Sequence, residues 1–209
     1  GTALINTYAK CGDLQRAGKL FDELPQRDVV SWSALIAGYA DHGKNREALN
    51  CLDKMQSEGI VPNPVTSACS LKACTNVGDI QRGQEIHSEV IKKGHLDAGF
   101  ECDTDDYALN AGVDSNKMRL GNALIDMYCK CGYLLEAESV LNVSSNRSLF
   151  IWNALISGYN DHGRGERAFE CLNKMQDEGL CPDAITYVSI IRACSNTGAV
   201  GKGKGIHAK

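Results

Sequence analysis

The stretch DMYCKCGYLLEA, Asp126 to Ala137, carries the residues best suited to metal or redox chemistry: Cys129 and Cys131 stand one residue apart and a glycine follows. Such a pair could be half of a zinc site, but zinc needs four convergent ligands, and no C-x-x-C with a matching partner is present. The chain has ten cysteines in all. They are spread through helix-like segments rather than packed among loops, which reads as reduced thiols and not as a disulfide framework. GKGKG, Gly201 to Gly205, has the glycine and lysine content of a phosphate loop but lacks G-K-[ST]. His87 and His207 each follow an isoleucine, and His42 and His162 fall in turn-like segments. Asn142 and Asn146 open N-x-S triplets, which mean little in an intracellular chain. No Ser/His/Asp set and no H-x-E…C-x-x-C deaminase signature occurs. The sequence reads as a non-enzyme with no metal and no cofactor.

Composition narrows the partners. In 209 residues no apolar run approaches the 18 or so needed to cross a bilayer. The net charge of −4 argues mildly against nucleic acid, but it is unevenly distributed. DAGFECDTDDYALNAGVDSN, Asp97 to Asn116, holds six acids and no Lys or Arg, while the remainder holds 22 basic and 20 acidic residues. The chain opens at Gly1 in the middle of a pattern, so it reads as a piece of a longer array.

That pattern is a repeat. GTALINTYAKCGDL at Gly1 matches GNALIDMYCKCGYL at Gly121, and WSALIAGYADHG at Trp32 matches WNALISGYNDHG at Trp152. CLDKMQSEG at Cys51 matches CLNKMQDEG at Cys171, and KACTNVG at Lys72 matches RACSNTG at Arg192. The offset is 120 residues each time. Within each copy, glycines close similar patterns every 31 to 35 residues, at Gly12, Gly43 and Gly78 and again at Gly132, Gly163 and Gly198. Trp32, Leu35, Ile36 and Tyr39 share one helical face, and Ala48, Leu49, Leu52 and Met55 form a second after the turn at Asp41 to Lys44. Gly59 then ends the second helix and Pro62 blocks its continuation. Each unit is therefore a helix–turn–helix hairpin that must stack on its neighbours to bury its apolar face. The repeat also explains the opening cysteines. Cys131 recurs as Cys11 but Cys129 aligns with Ala9, so these are small packing residues and not paired ligands.

At this level of detail the units resemble the pentatricopeptide repeat. VVSWSALIAGYADHGKNREALNCLDKMQSEGIVPN, Val29 to Asn63, and LFIWNALISGYNDHGRGERAFECLNKMQDEGLCPD, Leu149 to Asp183, are similar to its standard form. The units 1–28 and 118–148, with FDELPQRD and LIDMYCKCG, resemble the short variant. The units 64–99 and 184–209 resemble the long one, the acidic insertion 97–116 overlapping the end of the first. Alternation of short, standard and long units is similar to the plant PLS subclass. The tetratricopeptide repeat is the nearest rival, but its W-x-x-L-G-x-x-Y signature is missing.

The resemblance implies an all-α, right-handed α-solenoid that binds single-stranded RNA, one base per repeat, 5′ to 3′ from the N- to the C-terminus. It implies base reading by one residue early in the first helix and one at the end of the repeat. In this sequence these pairs are Thr2 with Asp28, Ser33 with Asn63, Asn122 with Ser148, and Asn153 with Asp183. All eight are short and polar, a composition that helix caps share. The long units place Ala68 and Val188 at the early position, which reads as spacing or stacking. Stacking positions follow as Val30, Val65, Arg119, Phe150 and Ile185; Arg119 departs from the usual aliphatic residue, although its guanidinium plane can stack. Lys10 and Lys130 are placed to meet phosphate, whereas the standard units have Asp41 and Asp161 there. The resemblance further implies a plastid or mitochondrion as the compartment. It also implies a role in RNA processing or as a C-to-U editing specificity factor, the chemistry belonging to a DYW-type deaminase domain or to recruited editing cofactor proteins. A peptide-binding helical scaffold is the alternative reading.

Three structural expectations result: about twelve helices in six hairpins; burial of Trp32, Tyr39, Trp152 and Tyr159; and a projecting loop over 97–116 with at most one helical turn at its centre.

Overall fold

The computed structural model describes residues 1–94, 111–144 and 147–197. Those residues form eleven α-helices and no strand. The first hairpin is α1 (Thr2–Lys10) with α2 (Leu14–Asp22), the second α3 (Val29–Asp41) with α4 (Asn45–Ser57), and the third α5 (Pro64–Val77) with α6 (Ile80–Lys92). The fourth is α7 (Ala111–Cys131) with α8 (Leu134–Val143), the fifth α9 (Leu149–Asp161) with α10 (Gly165–Asp177), and α11 (Ala184–Thr197) opens a sixth. The twelfth expected helix falls on 198–209, with the GKGKG stretch, outside the described residues.

The helix starts are encoded locally. Asp28 and Ser31 form a capping box at α3: the Ser31 N–H donates to Asp28 Oδ1 at 2.7 Å and the Asp28 N–H donates to Ser31 Oγ at 3.0 Å. At α5, Asn63 Oδ1 accepts the Thr66 N–H at 2.8 Å and Pro64 occupies the first helical position, where its missing N–H removes no bond. Asp13 and Asp79 cap α2 and α6 in the same manner.

The odd-numbered helices pack in succession, α1 on α3, α3 on α5, and so on to α11; each even-numbered helix packs on its own partner and on the next odd one. This is an α-solenoid with an inner layer of first helices and an outer layer of second helices. Stacking continues across the acidic insertion, because α7 packs on both α5 and α6. His87 bonds Tyr128 at 2.9 Å at that joint, with Leu120, Leu124, Ile125 and Met127 buried beside it.

Two devices recur at the 120-residue offset and set the inter-repeat spacing. Gly38 approaches so closely that a Cβ there would stand 2.6 Å from Ala9 Cβ; at Gly158 it would stand 2.8 Å from Cys129 Cβ. The turn histidines reach back one repeat: Nε2 of His42 donates to the Ala9 carbonyl at 2.9 Å and Nε2 of His162 to the Cys129 carbonyl at 3.0 Å. Their rings lie over Gly12 and Gly132, whose φ of 82° and 84° also requires glycine.

Two expectations need correction. α7 begins at Ala111, so the last six residues assigned to a loop, 111–116, are helical, and 97–110 lies outside the described residues. No proline interrupts this stretch, so the helix of the fourth hairpin extends backward into it. Trp32, Trp152 and Tyr159 are buried, but Tyr39 is only half-buried. The Tyr159 hydroxyl donates to Glu138 at 2.5 Å, whereas position 18, the counterpart of Glu138, is a glycine with no side chain to cover Tyr39.

Gly158→Ala should destabilise the chain by about 1–3 kcal/mol, the usual cost of forcing atoms into a packed contact. Urea unfolding followed by circular dichroism measures it, and an unchanged midpoint would show that α7 and α9 can move apart freely.

Candidate nucleic-acid interface

The inner layer encloses an open groove of about 1180 Å³. α1 contributes Thr2 and Lys10; α3 contributes Val30, Ser33 and Asp41; α5 contributes Val65, Ala68 and Lys72. α7 contributes Arg119, Asn122, Asp126 and Lys130, and α9 contributes Phe150. The structure thus brings together the early reading positions of three pairs, four of the five stacking positions and both phosphate positions. Asp28, Asn63, Ser148 and Asp183 sit at the starts of the following helices, and these four, with Asn153 in α9 and Ile185 in α11, lie outside the groove lining. Val30 is 57% exposed, Phe150 58% and Ile185 63%, so these apolar side chains are not inter-repeat core. Leu35, Ile36, Leu155 and Ile156 on the same helices are buried and hold the repeats together.

The four pairs predicted to read bases differ in how they are wired. Asn153 Nδ2 donates to Asp183 Oδ1 at 3.1 Å, and Thr186 Oγ1 donates to Asn153 Oδ1 at 2.6 Å. Asp183 Oδ1 also accepts the Thr186 N–H at 2.8 Å. A carboxylate only accepts, so this arrangement fixes which end of the Asn153 amide faces Asp183. Ser33 Oγ lies 2.6 Å from Thr66 Oγ1, which donates to Asn63 Oδ1 at 2.9 Å. Asp28 is committed to its capping box with Ser31, and Thr2 stands half-buried in the groove wall. Asn122 Oδ1 and Ser148 Oγ are both buried without a hydrogen-bond partner. The backbone amide of Thr186 holds the Asp183 carboxyl below the ordinary aspartate range, and the backbone amide of Ser31 does the same for Asp28.

Groove electrostatics oppose the chain's overall charge. Its wall has four basic residues, Lys10, Lys72, Arg119 and Lys130, against Asp41 and Asp126. Asp41 is paired with Lys72 at 2.8 Å, and at the same offset Asp161 is paired with Arg192 at 2.8 Å. These exposed pairs contribute little to stability, but they neutralise the two acids that weakened the phosphate reading. Lys130 pairs with Asp126 at 2.9 Å within α7.

Cys129 follows the packing reading, as do Cys74, Cys171 and Cys194, but Cys131 is only half-buried and its counterpart Cys11 is exposed at the end of α1, so the packing reading fails for Cys11. Cys129 is buried against Gly158, and burial pushes its thiol up to about 12; Cys74 and Cys171 are pushed up to about 12 and Cys51 to about 11 by the same cause. Such thiols are poor nucleophiles at neutral pH. Among the described residues, no three His, Cys, Asp or Glu side chains group where they could hold a metal ion, and no helix is long and apolar enough to cross a membrane.

Sequence reasoning overlooked the third residue of the following helix, Ser31, Thr66, Ile151 or Thr186, and the basic partners Lys72 and Arg192. The recurrence of Thr66 as Thr186 and of Lys72 as Arg192 at the 120-residue offset was the available signal.

Comparison with known proteins decides the family. The PPR repeat family profile matches residues 27–76 and 147–196, and a second PPR repeat profile matches 2–29 and 122–143. The chain belongs to the PPR repeat family. One Arabidopsis thaliana pentatricopeptide repeat-containing protein is 39% identical over 202 residues, covering 97% of this PPR chain and 25% of the relative. Another, named as chloroplastic, is 38% identical over 204 residues, covering 98% of the chain and 25% of the relative. The PPR chain thus spans about a quarter of the length of these relatives. The fold is similar to that of the pentatricopeptide repeat protein PPR10 from maize, with a TM-score of 0.69 and 23% identity over 99% of this chain and 28% of that one. It is also similar to nuclear proteinaceous RNase P 2 from A. thaliana, with a TM-score of 0.67 and 15% identity over 92% of this chain and 40% of that one.

The capping carboxylates give this PPR array an acid-dependent stability. Asp28 and Asp183 titrate lower when folded than unfolded. Their contribution is therefore present above the ordinary aspartate value and is lost as the pH falls through the lowered one. Asp28→Asn keeps a capping side chain but cannot titrate, so it should flatten the acid limb of the stability–pH curve. Chemical denaturation at a series of pH values checks this, and an unaltered acid limb would separate Asp28 from folding.

Proposed function

We propose that this PPR array binds single-stranded RNA along the inner groove, one base per repeat. The reading rests on one observation: exposed apolar side chains, short polar side chains and a basic excess line a single groove in a chain whose net charge is −4. Val30, Val65, Arg119, Phe150 and Ile185 stack on bases. The pairs Thr2/Asp28, Ser33/Asn63, Asn122/Ser148 and Asn153/Asp183 meet base edges, and Lys10 and Lys130 approach phosphates. The units 1–28, 29–63, 64–99, 118–148, 149–183 and 184–209 alternate as short, standard and long, which supports a place in the PLS subclass. A role as a specificity element in organellar RNA processing or C-to-U editing goes with that place, a deaminase domain or partner supplying the chemistry. Likeness to a relative named as chloroplastic supports the plastid.

The pairs read, in order, G, A, C and U, with an unread base facing the long unit: 5′-G-A-n-C-U. A small hydroxyl leaves room for a purine, and the Asn amide meets a pyrimidine edge with one donor and one acceptor. Asn153→Ser with Asp183→Asn should move the last preference from U to A. Each correct edge contact is worth roughly 1–3 kcal/mol, judged from base discrimination in other nucleic-acid complexes. Binding of wild type and double variant to oligoribonucleotides differing only at that base tests the assignment. An unchanged preference rejects these two residues as readers, and binding that ignores base identity throughout favours a peptide-binding scaffold.

A further inference from the structure

We propose that the buried hydroxyl of Thr186, with its counterpart Thr66, is the positioning group that fixes the reading side chains of the preceding repeat, and that Ile151 leaves its pair unfixed. The inference rests on the RNA reading above but concerns residues assigned neither to a base nor to a phosphate. Both threonines are third in a first helix, one repeat beyond the early residue they touch, and both are fully buried. They cannot contact RNA themselves. Thr186 Oγ1 gives its single proton to Asn153 Oδ1 at 2.6 Å and accepts the Asp183 backbone N–H at 3.2 Å, so one hydroxyl joins both members of a pair. Thr66 Oγ1 likewise lies 2.6 Å from Ser33 Oγ and 2.9 Å from Asn63 Oδ1, although Ser33 Oγ also lies 2.6 Å from the Val29 carbonyl and its one proton serves either that carbonyl or Thr66.

The consequence for recognition is geometric. With Asn153 Oδ1 held by the hydroxyl and Nδ2 held by Asp183, the amide cannot flip, and it offers one remaining N–H and one remaining lone pair in fixed directions. A flipped amide would exchange donor for acceptor and accept the wrong base edge. At Asn63, Oδ1 is likewise occupied, while Nδ2 makes no hydrogen bond among the described residues and is left as the donor. The corresponding third residue beyond Asn122 and Ser148 is Ile151, which has no hydroxyl; both their oxygens are buried and unpartnered. Ser31 spends its hydroxyl on the Asp28 backbone, accepting from its N–H and donating to its carbonyl at 2.9 Å, and does not reach Thr2. Two pairs are therefore stringent, Ser33/Asn63 and Asn153/Asp183, and two are permissive.

The test uses the 209-residue chain, Thr186→Val, which is nearly isosteric but lacks the hydroxyl, and Thr186→Ser, which restores it. Binding is measured to four oligoribonucleotides that differ only in the base facing Asn153. Thr186→Val should reduce the ratio of best to worst affinity about fivefold to tenfold, the worth of a neutral hydrogen bond, and Thr186→Ser should recover it. In the wild type, discrimination at the base facing Asn153 should exceed that at the base facing Asn122 by a similar factor. Without RNA, the Asn153 side-chain amide, followed by NMR, should lose about tenfold of its exchange protection in Thr186→Val and regain it in Thr186→Ser. Wild-type protection and preference in Thr186→Val would overturn the proposal. A uniform loss of affinity with a lowered melting temperature and an unchanged base preference would also overturn it, by making Thr186 merely structural. If the wild type shows no base preference while the amide still responds to both substitutions, the RNA reading fails and takes the specificity role with it. Amide insensitivity beside intact base preference sinks the hydroxyl alone.

Discussion

The close approach of successive first helices is the constraint on which the rest depends. Gly38 against Ala9 and Gly158 against Cys129 bring helix axes together at a distance that no larger side chain permits. A hairpin of about thirty residues cannot bury its own apolar face, so its stability comes from this stacking. The same stacking places the third residue of one helix within 2.6 Å of the early residue of the previous one, at Ser33 and Thr66 and again at Asn153 and Thr186. A solenoid with looser spacing would keep its core and lose these cross-repeat bonds. The turn histidines act in the same direction, tying the turn of one hairpin to the last turn of the preceding first helix.

The charges of the groove follow from which side chains face each other across repeats. Asp41 and Asp161 would repel an anionic chain, and each is offset by a base from the next repeat, Lys72 or Arg192. Exposed pairs of this kind contribute almost nothing to folding. Their effect is on the local potential, since a neutralised acid beside Lys10, which forms no ion pair among the described residues, leaves a positive track on a protein of negative total charge. The track is interrupted where Lys130 is partnered by Asp126, so the positive potential is uneven along the groove.

Much of this was legible in the sequence, because the 120-residue offset and the helical spacing of Trp32, Leu35, Ile36 and Tyr39 determine both the hairpins and their stacking. Where the reading failed, the cause was a contact between side chains far apart in sequence. Tyr39 and Tyr159 occupy equivalent positions, yet only Tyr159 is buried, since Glu138 has become Gly18 in the other copy. The backward extension of α7 to Ala111 was hidden by the acidic composition of the segment, which says little about backbone conformation in the absence of a proline. Thr66 and Thr186 looked like ordinary residues in the first turn of a helix, and their bond to the previous repeat is visible only in three dimensions.

The last residue of each repeat opens the next helix, and under the proposed base-reading role this limits what that residue can be. Asp28 and Asn63 each accept a backbone N–H from the helix they open, as Asp183 does from Thr186, while Ser148 opens α9 without such a bond. The residues that cap a helix well are Asp, Asn, Ser and Thr, because each carries an acceptor on a short side chain. These are also the side chains small enough to leave room for a base. One carboxylate or amide oxygen is used for the cap, and whatever remains, a second carboxylate oxygen in Asp183 or an amide nitrogen in Asn63, is what a base edge can meet. The chemical alphabet at this position is therefore set by helix initiation before any ligand arrives. Exchange between Asp and Asn preserves the cap while converting the outward group from acceptor to donor. Under the proposed reading, recognition can thus change with little effect on the fold, whereas an apolar residue at the same position would remove the cap and the proposed reader together.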